Sequence, residues 1–373
     1  MSSVVIRKAE GDADLDRFVK LPFTLYRTDP FWVPPLLTDA RNTLTPGRNP
    51  FWGHAERELY LAERDGKTVG RIAATYDRNY NDFHKSAIAF WGFLESADDD
   101  DVARALFDAA AAFARRNNCT ALYGPANPSM NDESGLLIGP FDSPPMLKMS
   151  YNPPFYARLV ESCGFAKVKD LYAYIVDLAR PIPEKMQRVM LKLKQKRGLV
   201  VRPVNLKHLE QELRAVKEVY NDAWSRNWDF APMTDDEIGD LARQLRPLIE
   251  PALCPLVFYN DEPAGMCVAL PDYNAVLRHL NGRLFPIGWL KFMILKRSIN
   301  QARLWALGVK CRFHNLGFDS LLYYECFLGM QRLGYKQAEV SWILEDNIHI
   351  IRPIEMWAGR LYKTYRIYQR SVA

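Results

Sequence analysis

The folding pattern of this chain is set by the segment Val309-Lys-Cys-Arg-Phe-His-Asn-Leu-Gly-Phe-Asp-Ser-Leu-Leu322. It predicts a strand, a short turn that contains Gly317, and a helix. The backbone N–H groups at a helix N-terminus are unpaired and lie at the positive end of the helix dipole, so they bind phosphate anions. A glycine there lets the anion approach the backbone. The segment is a candidate pyrophosphate-binding turn, although a single glycine before a helix is also a common plain connection.

The residues after this turn continue in a regular order. A helical pattern up to Gly334 is followed by a predicted strand over residues 337–345, a helix after Asn347 and a strand over residues 361–368. This order resembles the cofactor half of the GNAT superfamily of acyl-CoA N-acyltransferases. The resemblance implies an α/β fold with a mixed sheet, and acyl-CoA as the co-substrate.

The GNAT loop usually reads Arg/Gln-x-x-Gly-x-Gly/Ala, and the matching residues here are His314-Asn-Leu-Gly317-Phe-Asp319. Only the central glycine agrees with the family pattern, so His314 and Asp319 are departures from it. The resemblance implies that Asn347 opens the helix that flanks the acyl-CoA arm. By the same resemblance, the expected acyl-CoA contacts are Val309, Arg312, His314, Asn315, Gly317, Phe318, Ser320 and Asn347.

At the residue that protonates the departing thiolate, the sequence departs from the family pattern. In the family this is often a tyrosine in the helix after the asparagine. Ile354 occupies that position here, next to Pro353, so the usual acid is absent. Tyr362 and Tyr365 are the candidates to replace it, although aromatic residues in a terminal strand are also typical of the core.

The composition limits the classes of protein to which the chain can belong. The chain has 373 residues, enough for two domains, and its 48% apolar and 25% charged residues are ordinary globular usage. A net charge of +5 suits CoA phosphates or an anionic membrane face, but is too small for a dedicated nucleic-acid binder. The six cysteines form no C-x-x-C pair, so neither a metal site nor a disulfide framework is indicated.

The sequence also predicts the cellular compartment of the protein. Its first residues lack a signal-peptide core, and no apolar run reaches the roughly 20 residues needed to span a bilayer. We therefore expect a cytoplasmic protein that can contact the inner face of the membrane.

An internal repeat indicates two tandem GNAT-like domains. Hairpin patterns over residues 60–74 and 256–269 occupy the middle of the two halves. After its hairpin the first half repeats the strand and helix order of the second. We predict a degenerate GNAT-like domain over residues 1–182 on the acceptor side, a basic linker over 183–197, and a GNAT domain over 198–373 that binds acyl-CoA.

The first half departs from the family at its own strand-to-helix turn. Glu95-Ser-Ala-Asp-Asp-Asp-Asp101 stands where the second half has its glycine turn. Carboxylates at this position favour capping of the following helix, and they would repel a diphosphate. We therefore expect no CoA in the first half.

A long loop over residues 124–145 is rich in Gly and Pro, and such loops in compact domains are usually functional. Asn131, Asp132 and Glu133 lie at its centre. Their acids either solvate the loop or hold the ammonium group of an amine substrate by charge-assisted hydrogen bonds. After the loop, Asn152 is predicted to cap a helix that runs to Cys163.

A second unusual segment, Arg283-Leu-Phe-Pro-Ile-Gly-Trp-Leu-Lys-Phe-Met-Ile-Leu-Lys-Arg297, is dense in large apolar residues and bracketed by basic ones. Two interpretations are open. The segment is a buried helix whose lysines reach the surface, or it is an apolar wall, including Trp289, for a long acyl chain or a bilayer surface.

Four longer motifs resemble the bacterial ceramide synthase group. They lie at residues 124–135, 151–154, 270–274 and 341–347. The resemblance implies transfer of a fatty acyl group from acyl-CoA to the amine of a sphingoid base. The expected substrate contacts are Asn131, Asp132, Glu133, Asn274 and Trp289.

The chemistry requires a base, because an amine attacks a thioester only when it is neutral, and a donor that stabilises the oxyanion. Strand alternation places Glu339, Ser341 and Glu345 on one face. Glu345 is the first candidate for the base, followed by Asp272 and His314. A strand-end carboxylate is also commonly a solvated charge or a helix cap, and His314 also suits a phosphate contact.

Three other classes of protein fit part of the pattern. An aminoacyltransferase of the Fem type also has tandem GNAT-like halves, and a non-catalytic binding module would explain the absent family acids. A small-molecule N-acetyltransferase is the main alternative. Retention of acyl-CoA and preference for chain length separate these classes.

Overall fold

The computed structural model describes residues 2–225 and 227–372. They form an α/β protein with mixed parallel and antiparallel strand pairing, as the sequence predicts. The strands are β1 Val5–Lys8, β2 Ala55–Arg64, β3 Lys67–Asp77, β4 Ile88–Ser96, β5 Ala121–Gly124, β6 Ala126–Asn127, β7 Glu133–Ser134, β8 Leu136–Gly139, β9 Ala166–Asp177, β10 Leu199–Pro203, β11 Pro255–Tyr259, β12 Glu262–Pro271, β13 Gln301–Val309, β14 Gln337–Leu344 and β15 Arg360–Ser371. The helices are α1 Gly11–Leu25, α2 Leu37–Leu44, α3 Arg78–His84, α4 Asp100–Arg116, α5 Tyr156–Ser162, α6 Glu184–Lys194, α7 Leu209–Trp224, α8 Asp235–Leu245, α9 Asn274–Leu277, α10 Gly288–Leu295, α11 Phe318–Arg332 and α12 Ile348–Met356.

The chain divides into two compact units whose segments alternate along the sequence. Unit 1 contains the residues up to Leu171, the segment Asn274–Lys296 and the residues from Lys363 onward. Unit 2 contains Tyr172–Tyr273 and Arg297–Tyr362. Two pieces of the predicted domain 198–373 therefore belong to the same unit as the N-terminal half. They are the segment that carries α10 and most of strand β15. The roles expected of the two halves, acceptor side and acyl-CoA side, stay predictions.

In unit 1 the strands follow the order β1-β2-β3-β4-β5, and the end of β15 pairs with β5. These neighbours are antiparallel except for β4 and β5, which are parallel. The β2–β3 hairpin turns at Asp65 and Gly66, whose φ angles are 51° and 71°. Helix α4 covers this sheet with fully buried Leu106 and Phe107, and each such side chain contributes roughly 1.5–3 kcal/mol when buried.

In unit 2 the strand order is β10-β11-β12-β13-β14, with β9 on the far side of β14. The pair β13 and β14 is parallel, so its connection must cross over the sheet, and α11 is that crossover. The ladder between them runs only from Gln301↔Gln337 to Leu304↔Val340, although both strands continue further. The two strands therefore separate toward their C-terminal ends, where the turn into α11 lies.

The helix after the long loop begins later than predicted. Helix α5 starts at Tyr156, so the prediction that Asn152 caps it is wrong. The Asn152 Oδ1 atom accepts the Leu137 N–H at 2.8 Å, and its Nδ2 donates to the Leu137 carbonyl at 3.0 Å. Both ends of the amide are committed to strand β8, which is why Asn152 does not serve a helix.

Candidate functional site

The turn between β13 and α11 has the geometry of an anion-binding turn. Gly317 precedes α11 with φ of 78°, a left-handed conformation that residues with a side chain rarely adopt. Among the described residues, no side chain caps the first N–H groups of this 15-residue helix. Phe318 is fully buried, but Asp319 and Ser320 reach the surface, so their N–H groups are open donors at the positive end of the helix dipole. The turn therefore fits a diphosphate.

The basic residues of this turn are already paired with carboxylates. Lys310 is 4% exposed and donates to Glu262 at 2.8 Å and to Glu218. Arg312 forms an ion pair with the same Glu262. The turn's own cations are thus neutralised within the protein, and the predicted contact of Arg312 with CoA would have to compete with Glu262.

His314 is fixed by its own strand. Its Nε2 lies 2.9 Å from the Val309 carbonyl oxygen. Because a carbonyl only accepts, this contact places the ring hydrogen on Nε2 and leaves the lone pair on Nδ1. Asn315, the next residue, is exposed and has φ of 64°, so it forms part of the tight turn before Gly317.

Helix α6, predicted only as a basic linker, borders the same turn. The Leu193 Cδ2 atom lies 3.4 Å from where a Cβ on Gly317 would be. The Lys196 ammonium lies 4.8 Å from the Tyr259 ring centre and 5.8 Å from the Phe318 ring centre. In the described part of the chain, Lys196 has no carboxylate partner. Since Phe318 is the first residue of α11, Lys196 brings an unneutralised charge to the open helix end.

A buried polar network lies where β13 and β14 begin to separate. Arg303 and Glu339 are paired in the parallel ladder and are 1% and 0% exposed. The Arg303 Nε donates to the Ser341 Oγ at 2.9 Å, and that hydroxyl donates to the Glu339 Oε1 at 2.5 Å. The Tyr362 hydroxyl donates to the Glu339 Oε2. The structure thus brings the predicted Tyr362 together with Glu339 and Ser341 of the predicted strand face.

Sequence reasoning missed Arg303. The available signal was a single charged side chain in the otherwise apolar run from Ala302 to Val309 of β13. A buried arginine needs a carboxylate partner, but only the strand register identifies Glu339 as that partner.

The other residues predicted for the second half lie at element ends. Glu345 follows β14 and is half-buried. Asp272 follows β12, is 5% exposed, and its N–H donates to the Gln301 carbonyl at 2.8 Å. Asn347 stands at the N-terminus of α12, as predicted, but its side chain makes no capping hydrogen bond there. Whether these residues bind or react stays a prediction.

Four of the residues predicted to contact substrate, Asn131, Asp132, Glu133 and Asn274, lie in unit 1. The Asp132 carboxylate accepts from the Ser129 hydroxyl at 2.7 Å, and the same hydroxyl accepts the Asn131 N–H at 3.2 Å. Glu133 lies in strand β7. The Asn274 Nδ2 donates to the Pro145 carbonyl at 2.9 Å, which ties α9 to the long loop.

The apolar segment before and within α10 is exposed, so the buried-helix interpretation is wrong. Helix α10 has no buried residue, and Lys291 is its single charged side chain. Among its large apolar side chains only Phe292 and Leu295 are half-buried, so the helix contacts the protein along one narrow face. Six large apolar side chains within ten residues are 45–78% exposed: Phe285, Ile287, Trp289, Leu290, Met293 and Ile294.

The corresponding strand-to-helix turn of unit 1 is closed by protein groups. The Asp99 carboxylate accepts the Asp101 and Val102 N–H groups at 3.0 and 3.2 Å and pairs with Arg64. This confirms helix capping by the carboxylate block. The Arg64 hydrogen bond holds the pKa of the Asp99 carboxyl below its usual range.

Glu95, counted in the sequence with that acidic turn, is instead an interior residue of β4. Its Oε2 accepts the hydroxyls of Tyr26 and Tyr156 at 2.7 and 2.8 Å, and its Oε1 lies 3.5 Å from the Arg71 guanidinium. Burial raises the pKa of the Glu95 carboxyl, and the charge of Arg71 opposes that rise. Only the four aspartates remain at the surface turn.

Within residues 2–225 and 227–372, no helix has the length and apolar character to cross a membrane. No cluster of three or more His, Cys, Asp or Glu side chains arranged to hold a metal ion occurs in the same residues.

Comparisons with known proteins give relatives over nearly the whole chain. It is 36% identical over 367 residues to a bacterial ceramide synthase of Caulobacter vibrioides, covering 96% of this chain and 95% of that protein. It is 31% identical to the protein YghO of Escherichia coli, covering 99% and 95%. A solved tandem GNAT protein from the clavulanic acid biosynthesis pathway superposes with a TM-score of 0.59 at 12% identity, over 100% of this chain and 99% of that one. No family model matches the chain.

The fold is that of the tandem GNAT class of proteins, as the repeat in the sequence predicts. The extent and identity of the match to the Caulobacter vibrioides relative narrow this class further. The chain belongs to the bacterial ceramide synthase family, and it is an acyltransferase of the acyl-CoA-dependent N-acyltransferase type.

Proposed function

We propose that the protein transfers a long-chain acyl group from acyl-CoA to the amine of a lipid such as a sphingoid base. The exposed apolar surface of α10 and the residues before it carries this proposal. An enzyme with only water-soluble substrates gains nothing from this surface, since each large side chain left in water forgoes roughly 1.5–3 kcal/mol of burial. The name of the Caulobacter vibrioides relative supports a lipid acceptor for that protein and, by extension, for this one.

The acyl-CoA donor is proposed to bind by its pyrophosphate at the start of α11. Gly317 gives access to the backbone N–H groups, and Ser320 lies in the first turn of the helix. Lys196 supplies a cation that the turn lacks, because Lys310 and Arg312 are held by Glu262. The remaining contacts proposed are the residues that flank this turn and the start of α12: Val309, His314, Asn315, Phe318 and Asn347.

The acyl thioester is proposed to enter the gap between β13 and β14. Pairing ends at Leu304↔Val340, and Val309 and Glu345 each lie five positions beyond that pair. Because the strands are parallel, both residues lie at the same edge of the sheet as the Gly317 turn. This location favours Glu345 as the base that takes the amine proton. Asp272 is the second candidate.

His314 is a weaker candidate for the base. Its Nδ1 lone pair is suited to accept a proton, but the Nε2 contact holds the ring against the Val309 carbonyl. We therefore favour a role in binding the donor over one in proton transfer.

Tyr362 is the proposed acid for the departing thiolate. Its hydroxyl is held by the Glu339 carboxylate, which in turn is held by Ser341 and Arg303. A hydroxyl hydrogen can rotate toward a thiolate while the oxygen stays in place. Proton donation leaves a phenolate beside the Glu339 carboxylate, which is electrostatically costly, so the proton that the base takes from the amine must return to Tyr362 through solvent to complete the cycle.

The amine acceptor is proposed to contact Asn131, Asp132, Glu133, Asn274 and Trp289. Asp132 and Glu133 are the carboxylates of the long loop, and a carboxylate orients an ammonium group by charge-assisted hydrogen bonds. Trp289 lies on exposed α10 and suits the hydrocarbon part of a lipid. Peripheral contact with a membrane face is part of this proposal.

The proposal is tested by acyl transfer across a series of acyl-CoA chain lengths, with a long-chain amine and a small polar amine as acceptors. Each buried CH₂ contributes about 0.8 kcal/mol, or about fourfold in kcat/KM, so long-chain donors should exceed acetyl-CoA greatly. Products are identified by mass spectrometry. Lipid analysis of cells with and without the protein provides the independent check.

One outcome of this test would contradict the proposal. Faster transfer from acetyl-CoA than from a long-chain donor, with the small amine as the better acceptor, would replace the proposal with a small-molecule N-acetyltransferase.

A further inference from the structure

Unit 1 contains a pocket of about 460 Å³ that none of the roles above uses. Three aromatic rings form its wall. The Tyr26 and Trp32 rings are stacked with centres 5.1 Å apart, and the Phe23 ring meets Trp32 edge-on at 5.1 Å. Such a wall is rigid and apolar, and it gives a ligand a flat surface rather than hydrogen bonds.

The polar groups of the pocket carry a surplus of positive charge. Arg27 and Arg278 both line it. Arg278 donates one N–H to the Pro30 carbonyl at 3.0 Å, and Arg27 has no acceptor among the residues that the structure describes. The single carboxylate of the lining, Asp29, is already engaged by the Tyr151 hydroxyl at 2.8 Å and by backbone N–H groups. Guanidinium donors are therefore left for an anion.

The same chain segment forms part of the pocket and leads into the exposed apolar helix. Gly282, next to the lining residue Asn281, accepts the Leu37 N–H at 3.0 Å, which fixes the segment on unit 1. At the start of α10, a Cβ on Gly288 would lie 3.8 Å from the Leu280 side chain and 2.2 Å from the Arg283 carbonyl. Helix α10 thus begins against Leu280 and Arg283, which are neighbours in the chain of the lining residue Asn281.

Charge supports one kind of partner for this surface. Residues 274–296 contain four Lys or Arg and no Asp or Glu. Basic residues around exposed apolar side chains match an anionic bilayer, where the apolar groups enter the acyl boundary and the bases meet the headgroups.

We infer that the pocket lined by Arg27 and Arg278 binds the phosphate headgroup of an anionic membrane lipid while the side chains of α10 enter the bilayer beside it. This site is separate from the acyl-CoA turn in unit 2, and the inference rests on the proposed membrane contact. Arg27 and Arg278 are both exposed, so a headgroup phosphate can reach their donors from the surface.

The test is sedimentation of the full chain with phosphatidylcholine vesicles, with and without phosphatidylglycerol, at low and high salt. The Arg27→Ala/Arg278→Ala variant should lose about fivefold per charge, or about 25-fold in all, on the anionic vesicles at low salt. The matched control, Lys67→Ala/Arg104→Ala, removes two exposed charges of unit 1 away from the pocket and should lose less. Ile287→Ser/Ile294→Ser should weaken binding to both vesicle types, whereas Phe83→Ser, also an exposed apolar residue of unit 1, should not.

Two outcomes would overturn the inference. Equal losses for the pocket variant and its charge control would mean that general attraction, not the pocket, holds the lipid. In calorimetry, inorganic phosphate binding as tightly as a water-soluble short-chain phosphatidylglycerol would reduce the pocket to a free-phosphate site. The proposed function is tested separately, by acyl transfer between dissolved substrates without vesicles. The lipid-binding inference and the proposed function can therefore fail independently.

Discussion

The strand-to-helix turns of units 1 and 2 occupy the same place in their sheets and are built in opposite ways. In unit 1, Asp99 caps the first N–H groups of α4 and is neutralised by Arg64. In unit 2, Gly317 precedes α11 and leaves the equivalent groups open. One helix end is satisfied by the protein itself, and the other is left for a ligand. This contrast supports our proposal that acyl-CoA binds at the Gly317 turn and not at the turn of unit 1.

The largest effect should follow from loss of the base beside the open turn. If Glu345 accepts the amine proton, Glu345→Gln should lower turnover roughly 10²-fold or more with little change in acyl-CoA affinity. Steady-state kinetics together with donor binding measures both. Glu355→Gln, an exposed carboxylate of α12, is the control and should remain active. Normal turnover in Glu345→Gln would direct attention to Asp272→Asn.

Closing the open turn should weaken the donor. In Gly317→Val a β-branched residue must hold φ near 78°, a strain of roughly 1–3 kcal/mol that shifts the turn and lowers CoA affinity about tenfold or more. Calorimetry with CoA measures the change. Gly334→Val is the control, because Gly334 has φ of 83° at the other end of α11. Equal loss of affinity in both variants would mean that strain in α11, and not access to the turn, controls binding.

A smaller effect is expected at the connecting helix. Lys196→Ala removes the charge next to the open helix end and should weaken CoA binding about fivefold, or about 1 kcal/mol, at low salt. The loss should shrink as salt is added, since the charge is half-exposed. Lys192→Ala removes a charge within α6 itself, whereas Lys196 lies just after the end of that helix. If Lys192→Ala weakens CoA binding as much as Lys196→Ala does, the linker acts only through its overall charge.

The smallest effect is expected in the closed turn, and it should appear as stability alone. Asp99→Ala should lower the free energy of unfolding by about 1 kcal/mol through loss of the cap, with CoA affinity unchanged. Asp99→Asn keeps a side-chain oxygen that can cap the helix, so its effect measures the contribution of the charge alone. Because the folded-state pKa of Asp99 is depressed, its charge stabilises above the ordinary carboxyl pKa, and that contribution is lost as pH falls through the folded-state value. Urea unfolding at neutral and acidic pH measures this difference. Reduced CoA binding in Asp99→Ala would break the contrast between the turns.

Features with a local cause were predictable from the sequence. Helix α4 follows the acidic turn, as predicted, because an aspartate cap precedes a regular apolar repeat. The hairpin turn at Asp65 and the strand, turn and helix around Gly317 also follow from signals within a few residues. The predicted tandem GNAT fold is also confirmed. That prediction depends on the order of strands and helices, and each of these has local signals in the sequence.

Features that depend on distant partners were not predictable. Asn152 has the sequence of a helix cap, but it bonds to Leu137 across the loop. Glu95 reads as one of a run of surface acids, yet two tyrosines and an arginine from elsewhere in the chain enclose it. The apolar run at α10 has the composition of a core helix, and exposure depends on which elements cover it.

The pairing of β15 with β5 imposes an order of events on synthesis. The sheet of unit 1 is completed by register pairs such as Leu122↔Arg370, so β5 is paired by a strand that is made much later than β5 itself. At about 5–20 residues per second, the nascent chain carries an unpaired β5 edge for on the order of ten to fifty seconds before that strand leaves the ribosome. An open strand edge invites pairing with other chains, and we expect translation stalls or C-terminal truncations to yield aggregated protein rather than a functional first unit.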